Sequence, residues 1–442
     1  MALIFPFHGH RYNKAILGDL SLVVTQPYDK IPVELQSEYY RRSPYNIVRI
    51  TRNSEKNADP DTDYPDAGGT FRRWCDEQVL VREPAPVLYA YFQDYEVEGE
   101  RKTQRGFIAL LDLKHPSRGA IPHEHTLAEP KIDRLRLMRS TESNDDLIYT
   151  LYTDERLVVN KLLEEHTSAR PPDIEVRDDY EVLHRVWPIV DPKVIKIIHD
   201  AMVPEELFIA DGHHRFETSL NFLRECEAKG WKPKGPESFD KRLIACFNSA
   251  DQGTTILPTH RLVHSLERFH SKEFLGSASR YFEVVPVASA AELWNRMKKR
   301  NGEHLFGFLP SDTRSFALLR LKDVEEVDSL MLRHGEAYRQ LDVSILHVLI
   351  LDRLLGITEK MLVAQSHVDY ARERDGCVEL VGQGKYQAAF FLNPTTVEQV
   401  QRVALLGERM PQKSTDFYPK LLTGLVIMRM AILKPAATQA GK

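Results

Sequence analysis

The chain has 442 residues, a length that predicts two domains, because one hydrophobic core seldom grows past about 250–300 residues. Hydrophobic residues make up 42% and charged residues 28%, a balance that is typical of globular proteins and excludes a disordered chain. The formal net charge of −5 at pH 7 excludes a general basic field for nucleic acid and leaves only a local basic patch open.

Cysteine spacing and hydropathy indicate a reducing compartment. The four cysteines, Cys75, Cys226, Cys246 and Cys377, form no C-x-x-C pair, which favours free thiols over disulfides or a zinc site. The apolar stretch at the N-terminus is too short for a signal peptide, and no apolar run reaches the roughly 18 residues of a spanning helix. The sequence therefore predicts a cytoplasmic location without membrane association.

Hydrophobic periodicity predicts a helix and a hairpin early in the chain. After a polar surface loop over residues 53–63, apolar side chains recur at helical spacing, namely at Tyr64, Ala67, Phe71 and Trp74. Alternating apolar residues over 87–91, a polar turn at Glu98–Arg101 and an apolar run over 106–111 predict a β-hairpin. Residues 115–150 carry many charges and predict loops and one charged helix.

A strand, a glycine and a helix then follow one another. Asp191 and Pro192 first open a helix, as a capping residue and a first-turn proline. Residues 207–210 predict a short strand, and the apolar spacing after Arg215 predicts a helix up to about Gly230. A second strand is predicted over residues 243–247.

A change of composition near residue 266 predicts a domain boundary. Beyond it, strands are predicted over residues 306–309, 316–319 and 388–392, with helices over residues 343–355 and from residue 395. We therefore expect two domains, residues 1–265 and 266–442, and an α/β or α+β fold.

The segment between strand and helix, Asp211-Gly212-His213-His214-Arg215, predicts an anion site. A helix N-terminus offers unpaired backbone N–H groups and a partial positive charge, and Gly212 lets a ligand come close. Arg215 is able to fork onto phosphate oxygens, while His213 and His214 add donors or a proton. Asp211 could cap the helix, position a histidine or hold Mg²⁺. The alternative is a plain turn and cap with both histidines exposed.

Two further segments carry chemically useful side chains. His123 and His125 flank Glu124 and would share one side of an extended chain, but no third zinc ligand is apparent. Lys131 and Arg134 would share a helical face, for which a solvated basic helix is the simpler explanation.

The segment Lys413-Ser414-Thr415 is similar to the end of a P-loop, but the glycines of that loop are missing, so no Walker-type site is predicted. The sequence also lacks the G-x-S-x-G, G-x-G-x-x-G and H-E-x-x-H motifs, which removes the common hydrolase, dinucleotide-binding and zinc-protease hypotheses.

Seven short motifs occur in one order along nearly the whole chain and resemble those of a bacterial and archaeal family, the domain-of-unknown-function 1015 family. They are Pro27-Tyr28-Asp29, Ser43-Pro44-Tyr45-Asn46, Pro122-His123-Glu124, Asp211-Gly212-His213-His214-Arg215, Leu257-Pro258-Thr259-His260-Arg261, Asn393-Pro394-Thr395 and Met410-Pro411-Gln412-Lys413-Ser414-Thr415. The box Asp211–Arg215 is also similar to the signature of the ParB and sulfiredoxin superfamily. Members of that superfamily hydrolyse CTP to gate a DNA clamp, activate a sulfinic acid with ATP, or phosphorylate free serine.

The resemblance implies a ParB/sulfiredoxin-like phosphate-binding domain over residues 1–265, which would use ATP or ADP with Mg²⁺ and a small phosphorylated ligand. The second α/β domain would return Lys413–Thr415 to the site or serve only as a scaffold. The resemblance implies phosphate binding by Gly212, His213, His214 and Arg215. We add to these, as a hypothesis, Lys131 and Arg134 to neutralise the transferred phosphoryl group, and Lys413, Ser414 and Thr415 as further phosphate-binding residues. Glu124 or His214 would handle the hydroxyl proton, and Asp29 and Asp211 are possible magnesium ligands if a nucleotide takes part.

We therefore expect an enzyme that moves a phosphoryl group on or off a small hydroxyl compound, with serine or phosphoserine favoured. The first alternative is a nucleotide-gated regulatory protein without turnover. A nucleic-acid partner is not expected, because the pI is about 6.4 and no basic recognition helix is apparent. The other alternative is a metal-dependent phosphatase that uses His123, Glu124 and His125.

Overall fold

The computed structural model describes residues 2–52, 64–114, 119–126, 128–299 and 302–435. The surface loop predicted over residues 53–63 lies outside the described residues. The chain divides into two compact units: unit 1 holds residues 1–122, 126–255 and 419–442, and unit 2 holds residues 123–125 and 256–418. The predicted boundary after residue 265 falls inside unit 2, and the two predicted domains stay a prediction.

Unit 1 is built on a nine-stranded mixed sheet. Its strands are β1 (Ile4–Phe5), β2 (Leu88–Val97), β3 (Glu100–Asp112), β4 (Ala120–Ile121), β5 (Ile148–Tyr152), β6 (Ile174–Arg177), β7 (Leu183–Ile189), β8 (Leu207–Asp211) and β9 (Lys241–Asn248). The spatial order is β4-β8-β5-β9-β3-β2-β7-β6, and β1 pairs with β3. Only β4 with β8 and β5 with β9 run parallel among these pairs, so antiparallel pairing dominates the sheet.

The hairpin of β2 and β3 confirms the predicted one. Tyr89 pairs with Ile108 and Val97 with Glu100, and the turn residues Glu98 and Gly99 both have positive φ values, of 50° and 80°. Positive φ at both central residues matches the right-handed twist of the strands, which favours this tight turn.

The helices of unit 1 bear out several sequence expectations. They are α1 (Lys14–Leu17), α2 (Val33–Arg42), α3 (Val48–Thr51), α4 (Pro65–Asp76), α5 (Ala128–Thr141), α6 (Val158–Ser168), α7 (Pro192–Met202) and α8 (His213–Ala228). Of the predicted face of α4, Ala67, Phe71 and Trp74 are buried, whereas Tyr64 is half-buried and precedes the first helical residue. The Asp191 side chain accepts a hydrogen bond from the backbone N–H of Lys193 at the start of α7, as a capping residue does.

The prediction for residues 115–150 is only partly right. The charged helix is α5, and residues 115–118 lie outside the described residues. The loops predicted after it are wrong at Ile148, which begins strand β5 between β8 and β9. All five residues of β5 are buried, so the strand lacks the alternation of apolar and polar residues that marks a half-exposed strand.

Unit 2 contains a six-stranded antiparallel sheet. Its strands are β10 (His260–Val263), β11 (Phe282–Val287), β12 (Leu305–Pro310), β13 (Phe316–Leu321), β14 (Val368–Ala371) and β15 (Ala388–Phe391), in the order β11-β13-β12-β15-β10-β14. Strands β12, β13 and β15 confirm those predicted. Antiparallel pairing throughout this sheet and the mixed sheet of unit 1 place the protein in the mixed α and β class.

The helices of unit 2 are α9 (Ser271–Ala278), α10 (Ala290–Lys298), α11 (Val324–Asp328), α12 (Glu336–Arg339), α13 (Asp342–Ile345), α14 (Glu359–Val363), α15 (Arg374–Gly382) and α16 (Val397–Leu405). A π-helix, Leu346–Leu354, continues α13, so the predicted helix over residues 343–355 is present in two parts. Helix α16 begins at a capping box of Thr396 and Gln399. Within the part of the chain that the structure describes, none of the helices has the length and apolar character needed to span a bilayer.

Residues after Pro419 return to unit 1 through short strands. Met428–Arg429 pairs with Ser143–Asn144, and Ile432–Leu433 pairs with Lys232–Pro233. The remaining short strands are His10–Tyr12, Leu80–Arg82, Thr255–Ile256 and Phe417–Tyr418. This return brings Lys420 into unit 1, where it contributes to the site described below.

Candidate functional site

The box Asp211–Arg215 has the predicted strand–glycine–helix geometry. Asp211 ends β8, Gly212 is the capping residue of α8, and His213 begins the helix. Gly212 has a φ of 98°, and an added Cβ would lie 3.1 Å from both Arg215 Nη2 and Ile148 Cδ1. Glycine adopts this conformation with little strain, and as the capping residue of α8 Gly212 contributes no side-chain cap.

The Asp211 carboxylate binds two cationic side chains, those of Arg215 and Lys420. Its Oδ2 accepts a hydrogen bond from Arg215 Nη2 at 2.7 Å, and its Oδ1 accepts one from Lys420 Nζ at 3.0 Å. Burial alone would raise the pKa of the Asp211 carboxyl, but Lys420 and Arg215 outweigh burial and hold that pKa well below its usual range. Asp211 is therefore ionised and committed to cations of the protein.

Arg215 is directed into unit 1. Its side chain is 6% exposed, its Nη1 donates to the Leu147 carbonyl at 2.8 Å, and the same atom lies 3.5 Å from Asp146 Oδ2. Burial would lower the pKa of Arg215, but Asp146 and Asp211 raise it above the usual value, so the guanidinium stays charged. The predicted phosphate contact of Arg215 stays a prediction, and the contacts present orient it towards protein acceptors.

A small polar cavity of about 20 Å³ lies beside Arg215. It is lined by Arg134, Leu137, Met138, Ser143, Asp145, Asp146, Arg215, Thr218 and Arg242. Two lining atoms, Arg242 Nε and Ser143 Oγ, make no hydrogen bond to the protein. A cavity of this size suits a water molecule rather than a phosphate group.

The two acidic residues of this cavity differ in their ionisation. Burial, and then the charge of Asp146, raise the pKa of Asp145 to about 6. Burial would also raise the pKa of Asp146, but Arg242 and Arg215 outweigh it and lower that pKa below its usual value. Asp146 therefore stays ionised as the counter-ion of Arg242 and Arg215. For Asp145 the charged form is the unfavourable one in the folded protein, because burial outweighs the nearby cations.

Arg134 and Lys131 lie on α5 but differ in environment. Arg134 is 7% exposed, its Nε donates to Asp133 Oδ2 at 2.8 Å and its Nη1 to the Thr51 carbonyl at 2.8 Å. Its guanidinium also stacks 4.3 Å from the centre of the Tyr28 ring. The solvated basic helix offered as the simpler explanation is therefore wrong for Arg134.

Lys131 belongs to a polar group at the start of α8, which we call the box cluster: Asp29, Thr126, Lys131, His214 and Glu217. Lys131 Nζ donates to Glu217 Oε2 and Thr126 Oγ1, each at 2.9 Å. Thr126 Oγ1 donates to Glu217 Oε2 at 2.6 Å. Asp29 is exposed and the other four side chains are half-buried, so the box cluster reaches the protein surface.

His214 is held neutral within the box cluster. Burial lowers its pKa below the usual value, and the opposing charges of Asp29 and Glu217 do not restore it. A neutral imidazole at pH 7 is able to accept a proton. Its neighbour His213 is 5% exposed, which contradicts the alternative of a plain cap with both histidines exposed.

The other predicted site residues lie together in unit 2. His123 Nε2 lies 3.0 Å from Thr415 Oγ1, and the Thr415 hydroxyl donates a hydrogen bond to Glu124 Oε1 at 3.4 Å. The backbone of Glu124 also forms an isolated β-bridge with Met410. Thr395 Oγ1 donates to the Ser414 carbonyl at 2.9 Å. Two of the sequence motifs thus meet near a third, and the predicted return of Lys413–Thr415 to the box stays a prediction.

The match to one protein family covers residues 4–344, which is well over half of the chain. The chain belongs to the family described as "Protein of unknown function (DUF1015)". This confirms the family predicted from the seven motifs. No curated protein matches the sequence.

Several solved structures are distantly similar to this member of the DUF1015 family. A conserved hypothetical protein from Pyrococcus furiosus is 13% identical with a TM-score of 0.34, over 72% of this chain and 95% of that chain. Free serine kinase in complex with AMP is 13% identical with a TM-score of 0.36, over 72% and 92%. SbnI from Staphylococcus aureus with a C-terminal truncation is 10% identical with a TM-score of 0.35, over 72% and 85%. No conclusion rests on likenesses this remote.

The magnesium ligands predicted for this DUF1015 protein do not form a metal site with their neighbours. Among the described residues, no group of three or more His, Cys, Asp and Glu side chains could hold a metal ion. Both oxygens of the Asp211 carboxylate already accept hydrogen bonds from Arg215 and Lys420 and would have to exchange one of them for a magnesium ion. The predicted role of Asp29 remains untested, as does the His123–His125 zinc hypothesis, in which His125 is exposed.

Sequence reasoning missed four residues of the buried network, Asp145, Asp146, Arg242 and Lys420. Lys420 lies 209 positions from Asp211, and Arg242 lies 96 positions from Asp146, so no local spacing connects them. The one available signal was the adjacent acidic pair at residues 145 and 146 ahead of an apolar segment. Such a pair beside a buried strand requires basic partners from elsewhere in the fold.

Proposed function

We propose that the protein transfers a phosphoryl group between a nucleotide, ATP or ADP, and a small hydroxyl compound, with serine favoured. In this proposal unit 1 is a ParB/sulfiredoxin-like domain and the box cluster is its reaction site. The observation that carries the proposal is the start of α8, where the helix begins at Gly212, a residue without a capping side chain, beside Lys131 and a neutral His214.

Phosphate binding follows from the charges at that helix start. The 16-residue helix α8 presents the positive end of its dipole and its first backbone N–H groups at Gly212–His214. Lys131 adds a cation that is 24% exposed and so remains accessible to a ligand. A phosphate oxygen would replace Glu217 or Thr126 as the acceptor for Lys131 Nζ.

Two buried cations, Arg215 and Lys420, hold the residues of the box in place. Arg215 and Lys420 hold Asp211 on both of its oxygens, and Arg215 also donates to Leu147. These contacts fix the end of β8 and the start of α8 in one geometry. Arg215 is therefore a positioning residue in this proposal, and not a direct phosphate ligand.

His214 is the proposed general base. In a forward reaction the substrate hydroxyl oxygen forms a bond to the terminal phosphorus, the bond from that phosphorus to the bridging oxygen breaks, and the shorter nucleotide leaves with the electron pair. The hydroxyl proton passes to the neutral imidazole of His214. Glu124, the alternative base, belongs to unit 2 and accepts a hydrogen bond from Thr415.

The first test is a phosphorus NMR time course on the full chain in a magnesium buffer. One sample contains serine with ATP or with ADP, and the other contains phosphoserine alone. Growth of a phosphoserine signal indicates a kinase, whereas growth of inorganic phosphate only in the second sample indicates a phosphatase. Nucleotide binding with no turnover in either sample would replace the proposal by the regulatory alternative.

Two variants locate the reaction. We expect His214→Ala to lower kcat by about 100-fold or more through loss of the base, and Lys131→Ala mainly to raise KM through weaker phosphate binding. The matched control is His199→Ala on the surface of α7, where His199 lies 3.3 Å from its neighbour Asp200. Unchanged kcat and KM in both box-cluster variants would contradict this site.

The pH dependence provides a further readout of His214. Because burial lowers the pKa of His214 in the free protein below the usual value of 6.5, we expect the acidic limb of the kcat/KM profile to lie below pH 6.5. Activity should fall as the imidazole is protonated and should stay level from there to neutral pH.

A further inference from the structure

Three motifs that the proposed function does not use come together in unit 2. Arg261, which ends the motif over residues 257–261, donates through Nη1 to the Thr259 carbonyl and through Nη2 to the Lys413 carbonyl, the latter at 3.1 Å. Thr395 Oγ1 donates to the carbonyl of Ser414 at 2.9 Å, which joins the motif over residues 393–395 to the same segment.

Arg261 is a buried cation with no anionic partner. Its side chain is 1% exposed, and among the residues that the structure describes it makes no ion pair with any carboxylate. Besides two backbone carbonyls, it contacts His347 Nε2 at 3.2 Å and the Tyr370 ring, whose centre lies 5.2 Å from the guanidinium carbon. Its Nε, also buried, has no hydrogen-bond partner. A buried charge is costly unless an opposite charge compensates it.

The two histidines near Arg261, His260 and His347, are neutral. Burial, Arg374 and then Arg261 lower the pKa of the neighbouring His260 to about 3, so its fully buried imidazole is neutral, and its Nε2 also has no hydrogen-bond partner. Burial and Arg261 likewise hold the pKa of His347 well below its usual value. Both histidines thus experience a net positive field.

The acids of this region are already committed to other groups. Asp416 Oδ1 accepts a hydrogen bond from Arg372 Nη2 at 2.8 Å, and Asp369 Oδ2 accepts one from the Tyr386 hydroxyl at 2.7 Å. Neither acid contributes to the charge balance of Arg261, whose pKa burial lowers to about 10 with only Tyr370 opposing the shift. The positive charge of Arg261 therefore requires a negative charge from a bound ligand to compensate it.

We propose that unit 2 binds a phosphate group at Arg261, as a second anion site that does not depend on the proposed phosphoryl transfer. Lys413 supplies the second charge: its side chain is exposed, and its carbonyl covers Arg261 Nη2. Arg261 and Lys413 carry two positive charges, which match the −1.5 to −2 of a phosphate group near pH 7. A phosphate oxygen replaces the Lys413 carbonyl as the acceptor of Nη2 and restores a charged hydrogen bond.

The test is hydrogen exchange of the full chain, read by mass spectrometry in three segments. Inorganic phosphate and ADP are compared with chloride at equal ionic strength. We expect phosphate to slow exchange over residues 257–264 and 410–416, because a phosphate held between Arg261 and Lys413 fixes both segments. An effect with inorganic phosphate assigns a free phosphate ligand, and an effect with ADP alone assigns a nucleotide phosphate. No protection with either ligand overturns the proposal.

Variants make the result specific. Arg261→Gln should need about tenfold or more phosphate for the same protection, since a charge-assisted hydrogen bond is lost. The matched control is Arg280→Gln, an exposed arginine of unit 2 that lies 3.5 Å from Glu326. If Arg261→Gln does not fold, the exposed Lys413→Ala serves instead, with several-fold weaker protection expected. Full protection in a folded Arg261→Gln or in Lys413→Ala overturns the site.

The segment over residues 207–217 separates this proposal from the first one. Protection there without protection over residues 410–416 supports phosphate binding at the box and overturns the site at Arg261. Protection over residues 410–416 without protection over residues 207–217 supports the Arg261 site and counts against the box as a phosphate site.

Discussion

At the scale of single residues, Asp145 and Asp146 show how two adjacent buried acids acquire opposite effects on stability. The pKa of Asp145 is raised to about 6 by burial and by Asp146, so the folded protein keeps a proton between about pH 4 and pH 6 that the unfolded chain releases. The folded state then binds more protons, and the free energy of unfolding falls as pH rises through this window.

We therefore predict that Asp145→Asn raises the free energy of unfolding by about 1–3 kcal/mol at pH 8 and has little effect at pH 4. The neutral amide has nearly the same shape and removes the cost of a buried, poorly compensated charge. Urea unfolding at pH 4, 6 and 8 measures the difference. Equal stability of Asp145→Asn and the unaltered protein at every pH would show that the carboxyl carries no such cost.

The neighbouring position supplies the contrast for this experiment. Asp146 is the anion that Arg242 Nη2 and Arg215 Nη1 share, and its pKa is lowered because these cations outweigh burial. Asp146→Asn should lower the free energy of unfolding by about 3 kcal/mol near neutral pH, because it leaves Arg242 buried without its ion-pair partner. This stabilisation by Asp146 is present above the usual carboxyl pKa and is lost as pH falls towards the lowered one.

At the scale of elements, the junction of β8 and α8 depends on one glycine. Gly212 has a φ of 98°, and an added Cβ would press on Arg215 and Ile148 at 3.1 Å. We predict that Gly212→Ala lowers the free energy of unfolding by about 2 kcal/mol or more, from left-handed strain together with crowding.

Gly230 is the matched control for this substitution. It also has a positive φ, of 69°, but no atom lies within 4 Å of an added Cβ. Gly230→Ala therefore measures backbone strain alone, about 1 kcal/mol. Urea unfolding of both variants gives the difference, and equal losses would mean that the contact with Arg215 does not restrict position 212.

Buried strands were predictable where they form a continuous apolar run, as over residues 207–210 and 388–392. The hairpin of β2 and β3 was predicted from alternation and a polar turn, and α7 from Asp191 and Pro192. Strand β5 was missed because Ile148–Tyr152 contains Tyr149, Thr150 and Tyr152, so it shows neither a continuous apolar run nor a regular alternation of apolar and polar residues. Its existence depends on pairing with β8 and β9, which are distant in sequence.

The candidate site was predictable in its local part only. The box and its glycine follow from a strand, a turn residue and a helix within a short segment. The partners that neutralise Arg215, above all Asp146, are brought near by sheet pairing, and sequence spacing contains no trace of this. For the same reason, the sequence did not indicate that Arg134 is buried or that Arg261 lacks a neighbouring acid among the described residues.

At the scale of the whole molecule, unit 1 depends on the last described stretch of chain. Residues 419–435 supply Lys420 to Asp211, two strand pairs, and bridges from Thr423 to Thr25 and from Ile427 to His10. Leu421, Leu422, Leu425, Val426, Ile427 and Met428 are all buried. This stretch is thus a part of the core of unit 1.

We predict that removal of residues 419–442 abolishes cooperative unfolding of unit 1, because the deletion exposes core surface and leaves Asp211 with one cation fewer. Removal of residues 436–442 alone is the control and should preserve the transition. Hydrogen exchange over β2, β3 and β9 is the measurement. Protection of these strands that survives the longer deletion would refute a structural role for the stretch.

The chain leaves unit 1 after residue 122, returns at residue 126, leaves again after residue 255 and returns at residue 419. On the ribosome, which adds about 5–20 residues per second, the strands of unit 1 are made long before their final partners. The apolar surface that awaits residues 419–435 stays open throughout the synthesis of unit 2. A nascent chain of this kind is a natural client for chaperones that shield unfinished sheets, and premature termination would yield an insoluble fragment rather than a smaller working protein.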